Sequence, residues 1–291
     1  MRGSMPERTR KVDVGGGVTL SVRDFASPDA GAPGLLLHHG LASTSHIWDL
    51  MLPKLVGRFH VVAYDARGHG LSGKPGAGYG FERVSADALA VIRATRLRRP
   101  VVVGHSWGAM VALQLAAMHP RSVSGAVLLD GGLSALKSMG AWAEVKQQLA
   151  PPHLAGMPVE EFRAAIRQWM PMPVTPLIEG HVLSIMRVDA QGRIHPRLSR
   201  ANHFRILRAI WEQDPVALYG RLRVPILAVV MQGDGDDLSA RRRRDAEAAV
   251  KAVVQPGLVR FVWMEGIHDV PLQYPDRLAR RLHRFADIAV R

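Results

Sequence analysis

Val101-Val102-Val103-Gly104-His105-Ser106-Trp107-Gly108-Ala109-Met110 decides how this chain is read. Three consecutive valines make a short, fully apolar run of the kind that lies inside a sheet covered on both faces. From Trp107 to Met118 the composition turns helical, rich in Ala, Leu and Met. Strand must therefore become helix within a few residues, and Gly104 and Gly108 supply the room for that tight turn. Ser106 stands at its apex, its hydroxyl pushed into the open. The helix start behind it offers free N–H groups and the positive end of a dipole, as a developing oxyanion needs. Ser106 is the candidate nucleophile.

Outward from this point the same rhythm repeats. Leu35–His38, Val61–Tyr64, Ala126–Leu129, Ile226–Met231 and Val259–Met264 read as further central strands, and Val12–Val14 with Val18–Asp24 as a leading hairpin around Gly15-Gly16-Gly17. Helical patterns fall between them at Ser45–Leu55, Glu82–Leu97, Ala240–Val253 and Pro275–Ile288. Alternation of this kind predicts an α/β fold, a mostly parallel central sheet flanked by helices. The stretch 133–214 breaks the rhythm. It is rich in Pro, Met and Trp and reads as short helices, a helical lid (cap) inserted after the sixth strand. The core is then 5–132 with 215–291. Residues 1–4, before a second start-like Met5, read as an expression leader.

A serine nucleophile needs a base, and the base needs an orienting acid. After Ile226–Met231 comes Gln232-Gly233-Asp234-Gly235-Asp236-Asp237, dense in carboxylates; after Val259–Met264 comes Glu265-Gly266-Ile267-His268-Asp269. Both loops leave the carboxyl ends of parallel strands, where such sheets hold their ligands. Ser106, Asp236 and His268 follow the chain order Ser…Asp…His. A second oxyanion donor is expected after Leu35–His38, where His39-Gly40-Leu41 follows. Asp65-x-Arg67-Gly68-His69-Gly70-x-Ser72 is read as a structural network whose charged groups satisfy one another.

Composition closes off other classes. The 291 residues contain no cysteine, which excludes disulfides, thiolate nucleophiles and cysteine-ligated metal sites. No apolar run is long enough for a membrane span, and no signal-peptide core is present, so a cytoplasmic location is expected. The net charge of +13 invites a nucleic-acid reading, but the excess is almost all arginine scattered along the chain, with lysine only at 11, 54, 74, 137, 146 and 251. The one dense run, Arg241-Arg242-Arg243-Arg244, points four ways around a helix. Asp245 and Glu247 stand four residues beyond Arg241 and Arg243, so the run is read as a solvated, ion-paired face.

Taken together, His39-Gly40, the Asp65–Ser72 motif, the elbow at Ser106, Gly233-Asp234-x-Asp236 and His268 before a Pro-started helix resemble the α/β-hydrolase superfamily. The likeness runs from about Val12 to Phe285, and its lid-bearing serine esterase and lactonase branch fits best. The resemblance implies Ser106 as nucleophile, His268 as base, Asp236 as orienting acid, and the Leu41 and Trp107 amides as the oxyanion hole. Asp130, at the end of the preceding strand, is the alternative acid, since some relatives keep it there. The expected reaction is hydrolysis of a carboxylic ester or lactone of a hydrophobic small molecule, with no cofactor, metal or nucleic-acid partner. Two rivals use the same triad, on a carbon–carbon bond or with peroxide as acceptor; a ligand-binding protein on the same fold is a distant third. His39, Trp142, Trp169 and Met186 are candidate substrate contacts.

Overall fold

The apolar runs fold into strands β1 (Arg8–Asp13), β2 (Thr19–Phe25), β3 (Gly34–His38), β4 (His60–Tyr64), β5 (Val101–His105), β6 (Gly125–Leu129), β9 (Ile226–Gln232) and β10 (Val259–Glu265). The computed structural model describes residues 7–232 and 236–289, the side chains of 236–238 excepted. The expected leader, 1–4, lies outside the described residues. The strands form one sheet in the order β1-β2-β4-β3-β5-β6-β9-β10, antiparallel where β2 meets β1 and β4 and parallel from β4 to β10.

Alternate residues of the central strands serve opposite faces, as the twofold pleat requires. Leu36, Val62, Val102, Leu128 and Ala228 enter one core, and Leu35, Leu37, Val103, Val127 and Val229 the other. Both faces are dry. Helices α2 (Phe81–Ala94), α3 (Trp107–Met118) and α9 (Asp236–Ala252) accompany the sheet, with the short α1 (Leu52–Leu55) and α10 (Val270–Gln273) and the C-terminal α11 (Pro275–Ala289). The helix expected over Ser45–Leu55 is instead a 3-10 turn at Ser45–Trp48 followed by α1. Pro53 accounts for the break: it fits a helix's first turn and not its interior.

Between β6 and β9 the chain builds α4 (Trp142–Gln148), α5 (Val159–Trp169), α6 (Pro176–Ser184), α7 (Arg200–Glu212) and α8 (Pro215–Tyr219). It also forms a small antiparallel ribbon, β7 (Met186–Val188) with β8 (Ile194–Pro196), which the sequence reading took for helix. Phe162, Ile166, Met186 and Ile194 give this segment a core of its own. Thr44 and Ser184 share a hydroxyl hydrogen bond of 2.5 Å that ties it to the sheet domain. Helix α8 packs back on α3 and α9.

Candidate active site

Parallel pairing brings the carboxyl ends of β3, β5, β6, β9 and β10 to one edge of the sheet, and the functional side chains follow from that. Ser106 comes directly after β5 with φ 55° and ψ −117°, a conformation that costs a non-glycine residue on the order of 1–3 kcal/mol. The surrounding packing enforces it. A Cβ on Gly104 would lie 2.0 Å from the Gly108 carbonyl oxygen, and one on Gly108 would lie 2.3 Å from that of His38. Only glycine lets strand and helix cross this closely. The Ser106 amide donates to the Leu129 carbonyl (2.9 Å), which seats the turn against β6.

His268, on the loop after β10, accepts from the Ser106 hydroxyl at Nε2 (2.9 Å). Its Nδ1–H donates to Asp130 Oδ2 (2.6 Å). The carboxylate that this histidine meets is therefore Asp130, the first residue after β6 and the alternative acid of the sequence reading. Asp236 opens helix α9, and its side chain lies outside those described.

Asp130 is buried and well held. Its Oδ1 accepts from the Met231 amide (3.0 Å) and faces Arg242 Nη1 at 3.1 Å, and Arg242 also donates to the Met231 carbonyl. Burial works against its charge, but the bond to His268 and the charges of His268 and Arg242 outweigh it and hold the carboxyl below its ordinary pKa. For His268, burial again opposes the charged form. Asp130 overcomes this, and the imidazole pKa is raised above its ordinary value, with Arg242 pulling the other way. His105 Nε2 donates to the His268 carbonyl (2.9 Å), bracing the loop that carries His268. Neither Arg242 nor His105 was picked out from the sequence; a basic run and a histidine inside the elbow carry no local signal for these contacts.

Leu41 and Trp107 line the cavity that holds Ser106 and His268. Gly40 packs so closely over the elbow that a Cβ there would stand 3.1 Å from the Ser106 Cβ, which brings the Leu41 backbone beside the serine. The Asp65–Ser72 motif buttresses this loop. Asp65 accepts from the Ser45 and Leu71 amides at 2.9 Å each, and His69 Nε2 accepts from the Ala42 amide (3.3 Å). Arg67 finds its partner outside the motif, in a buried two-pronged bond to Asp87 on α2 (2.5 and 2.6 Å). The motif's carboxylate is met partly from within, by the Leu71 amide, while its arginine is paired from outside.

The cavity encloses about 640 Å³, and its walls are mostly apolar: Met110, Leu133, Met139, Leu207, Ile210 and Val230 among them. None of the four expected substrate contacts lines it. His39 is fully buried, with both ring nitrogens occupied by the Gly40 carbonyl (2.7 Å) and the Ala66 amide (2.9 Å). Trp142 pairs with Trp211, and Trp169 is exposed beside Phe162, so neither lines the cavity. Met186 faces a neighbouring chamber of about 400 Å³, which shares His203 as a wall with the first. Tryptophan content pointed to an apolar wall; which residues supply it depends on packing that no periodicity reveals.

Comparison with known proteins follows the same line. A family model of the α/β hydrolase fold matches residues 33–162. The chain is 31% identical over 261 residues to a non-heme haloperoxidase of Rhodococcus erythropolis, covering 83% of this chain and 89% of that one. The chain belongs to the α/β-hydrolase family. It is also 37% identical over 122 residues to 2-(acetamidomethylene)succinate hydrolase of Mesorhizobium japonicum, and this match spans 42% of either protein. The crystal structure of E-2-(acetamidomethylene)succinate hydrolase superimposes with a TM-score of 0.76 at 25% identity, over 97% of this chain and 100% of that one. As a hydrolase of this family it acts on a small molecule. No helix among the described residues is long and apolar enough to cross a membrane.

Proposed function

We propose that this α/β-hydrolase cleaves a carboxylic ester or lactone of a largely apolar small molecule through an acyl-enzyme, with Ser106 as nucleophile. The observation that carries this reading is the continuous chain Ser106 Oγ to His268 Nε2 (2.9 Å) and His268 Nδ1 to Asp130 (2.6 Å), opening on an apolar cavity. His268 takes the Ser106 proton as the oxygen attacks the carbonyl, and Asp130 stabilises the imidazolium that forms. The Leu41 and Trp107 amides hold the oxyanion. The imidazolium then gives its proton to the leaving alcohol, and a water activated by the same histidine releases the acid. The β6–β9 segment acts as the lid over this chemistry, its Met139, Leu207 and Ile210 forming the outer wall.

Likeness to the haloperoxidase favours a second reading of the same triad, in which hydrogen peroxide replaces water as acyl acceptor and the product is a peracid. Initial rates on p-nitrophenyl esters of increasing chain length test the first reading. Ser106→Ala is expected to lower kcat by about 10⁴ to 10⁶. Activity surviving in that variant would sink it. Product analysis with acetate and peroxide tests the second, peracid being the product that decides.

A further inference from the structure

We infer that the substrate carries an anionic group, a carboxylate in the first instance, at the end of its apolar body, and that Arg241 binds it. This rests on the serine-hydrolase reading for its chemistry, but the observation behind it is independent. Arg241 lines the same cavity as Ser106 and His268. Its Nε is buried without a hydrogen-bond partner, and among the described residues its guanidinium has no ion pair.

Two described carboxylates that could pair with it are engaged elsewhere. Asp245, one turn further along α9, accepts from the Ser134 hydroxyl (2.5 Å). Asp130, the carboxylate in this cavity, is occupied by His268 and Arg242. Arg243 lies over the Trp263 ring at 4.9 Å instead of pairing with Glu247. The expected ion-paired helix face is thus not what forms: Arg241 and Arg242 both turn toward the site.

Arginine cannot shed its proton to escape a poorly solvated position, as lysine or histidine can. A half-buried guanidinium with no counter-ion among the described residues, in a cavity with apolar walls, is costly unless an anion arrives. Its planar fork suits a carboxylate, taken two-pronged. Arg242 lends a second positive charge nearby while its own bonds stay with Asp130. An apolar acid esterified or lactonised at its far end meets both the walls and the charge.

The test compares 4-nitrophenyl hydrogen adipate with its neutral methyl ester. Wild type is expected to prefer the anion, and Arg241→Gln to lower the anion-to-neutral ratio of kcat/KM by about ten-fold to a hundred-fold, with Arg241→Lys recovering part of it. A merely structural role would lower both rates and leave the ratio. An unchanged ratio, or a wild-type preference for the methyl ester, overturns the proposal. Calorimetric binding of hexanoate to Ser106→Ala, with and without Arg241→Gln, separates the two readings. At least ten-fold weaker binding in the double variant, with neither ester turned over by wild type, would remove the serine-esterase reading and keep the anion subsite. Equal binding, or binding to neither variant, removes the subsite whatever the turnover.

Discussion

Which aspartate faces His268 changes what each substitution should do. With Asp130 on Nδ1 at 2.6 Å, Asp130→Asn is expected to favour the wrong imidazole tautomer and lower kcat by about 10⁴. Asp236→Asn is expected to stay within a few-fold of wild type, and the reverse ranking in steady-state rates would restore Asp236 as the acid. Arg242 gives a second handle. Its charge pulls the His268 pKa down while Asp130 raises it, and the base must be neutral to work. In Arg242→Gln both His268 and Asp130 lose that pull, so the acid limb of the kcat/KM profile is expected to move to higher pH. A limb that stays in place or moves down would show that Arg242 does not act on the dyad. The sequence names Ser106 and His268 through their local context, glycine spacing and strand ends. It leaves the acid among several carboxylates, because Nδ1 is reached across the sheet and not along the chain.

The elbow owes its shape to two elements crossing at contact distance. Gly104→Ala or Gly108→Ala would drive a methyl group into a backbone carbonyl, which cannot swing away as a side chain can. Each is expected to lower the unfolding free energy by roughly 3 kcal/mol or more in urea titrations, beyond the usual range for a surface glycine. A loss below about 1 kcal/mol would mean that the strand–helix crossing relaxes easily. Helix α9 carries a different lesson. Spacing four apart is a sound rule for an isolated helix, yet Arg241, Arg242 and Arg243 all abandon it for partners or space set by β6, β9 and β10. Burying one side of the helix against the sheet edge outweighs exposed ion pairs, which contribute only about 0.3–0.5 kcal/mol each.

On the scale of the whole molecule, the site is banked by neutral histidines. Burial first, and neighbouring imidazoles second, lower His38 and His39 to about 3; burial lowers His69, His105 and His181 to about 4. The unfolded chain binds protons at these rings near pH 6.5 while the folded chain does not. Stability is therefore full above pH 6.5 and lost as the pH falls toward 4, at about 1.4 kcal/mol per pH unit for each such ring. The urea midpoint is expected to drop by several kcal/mol in equivalent free energy between pH 7.5 and 5, and a midpoint unchanged over that interval would contradict the burial of these groups.

The sequence by itself determined the alternating order of strands and helices, the segment that interrupts it, the strained serine and the histidine loop that meets it. Each is written in short stretches: apolar runs of three to six residues, glycines four apart, a loop after a strand. Only the tertiary structure decided which carboxylate meets His268, the walls of the cavity and the arginine turned into it. Those depend on which side chains from β6, α7 and α9 meet in space, at separations of tens to more than a hundred residues. Local pattern records the face a residue presents; it does not record the partner found there.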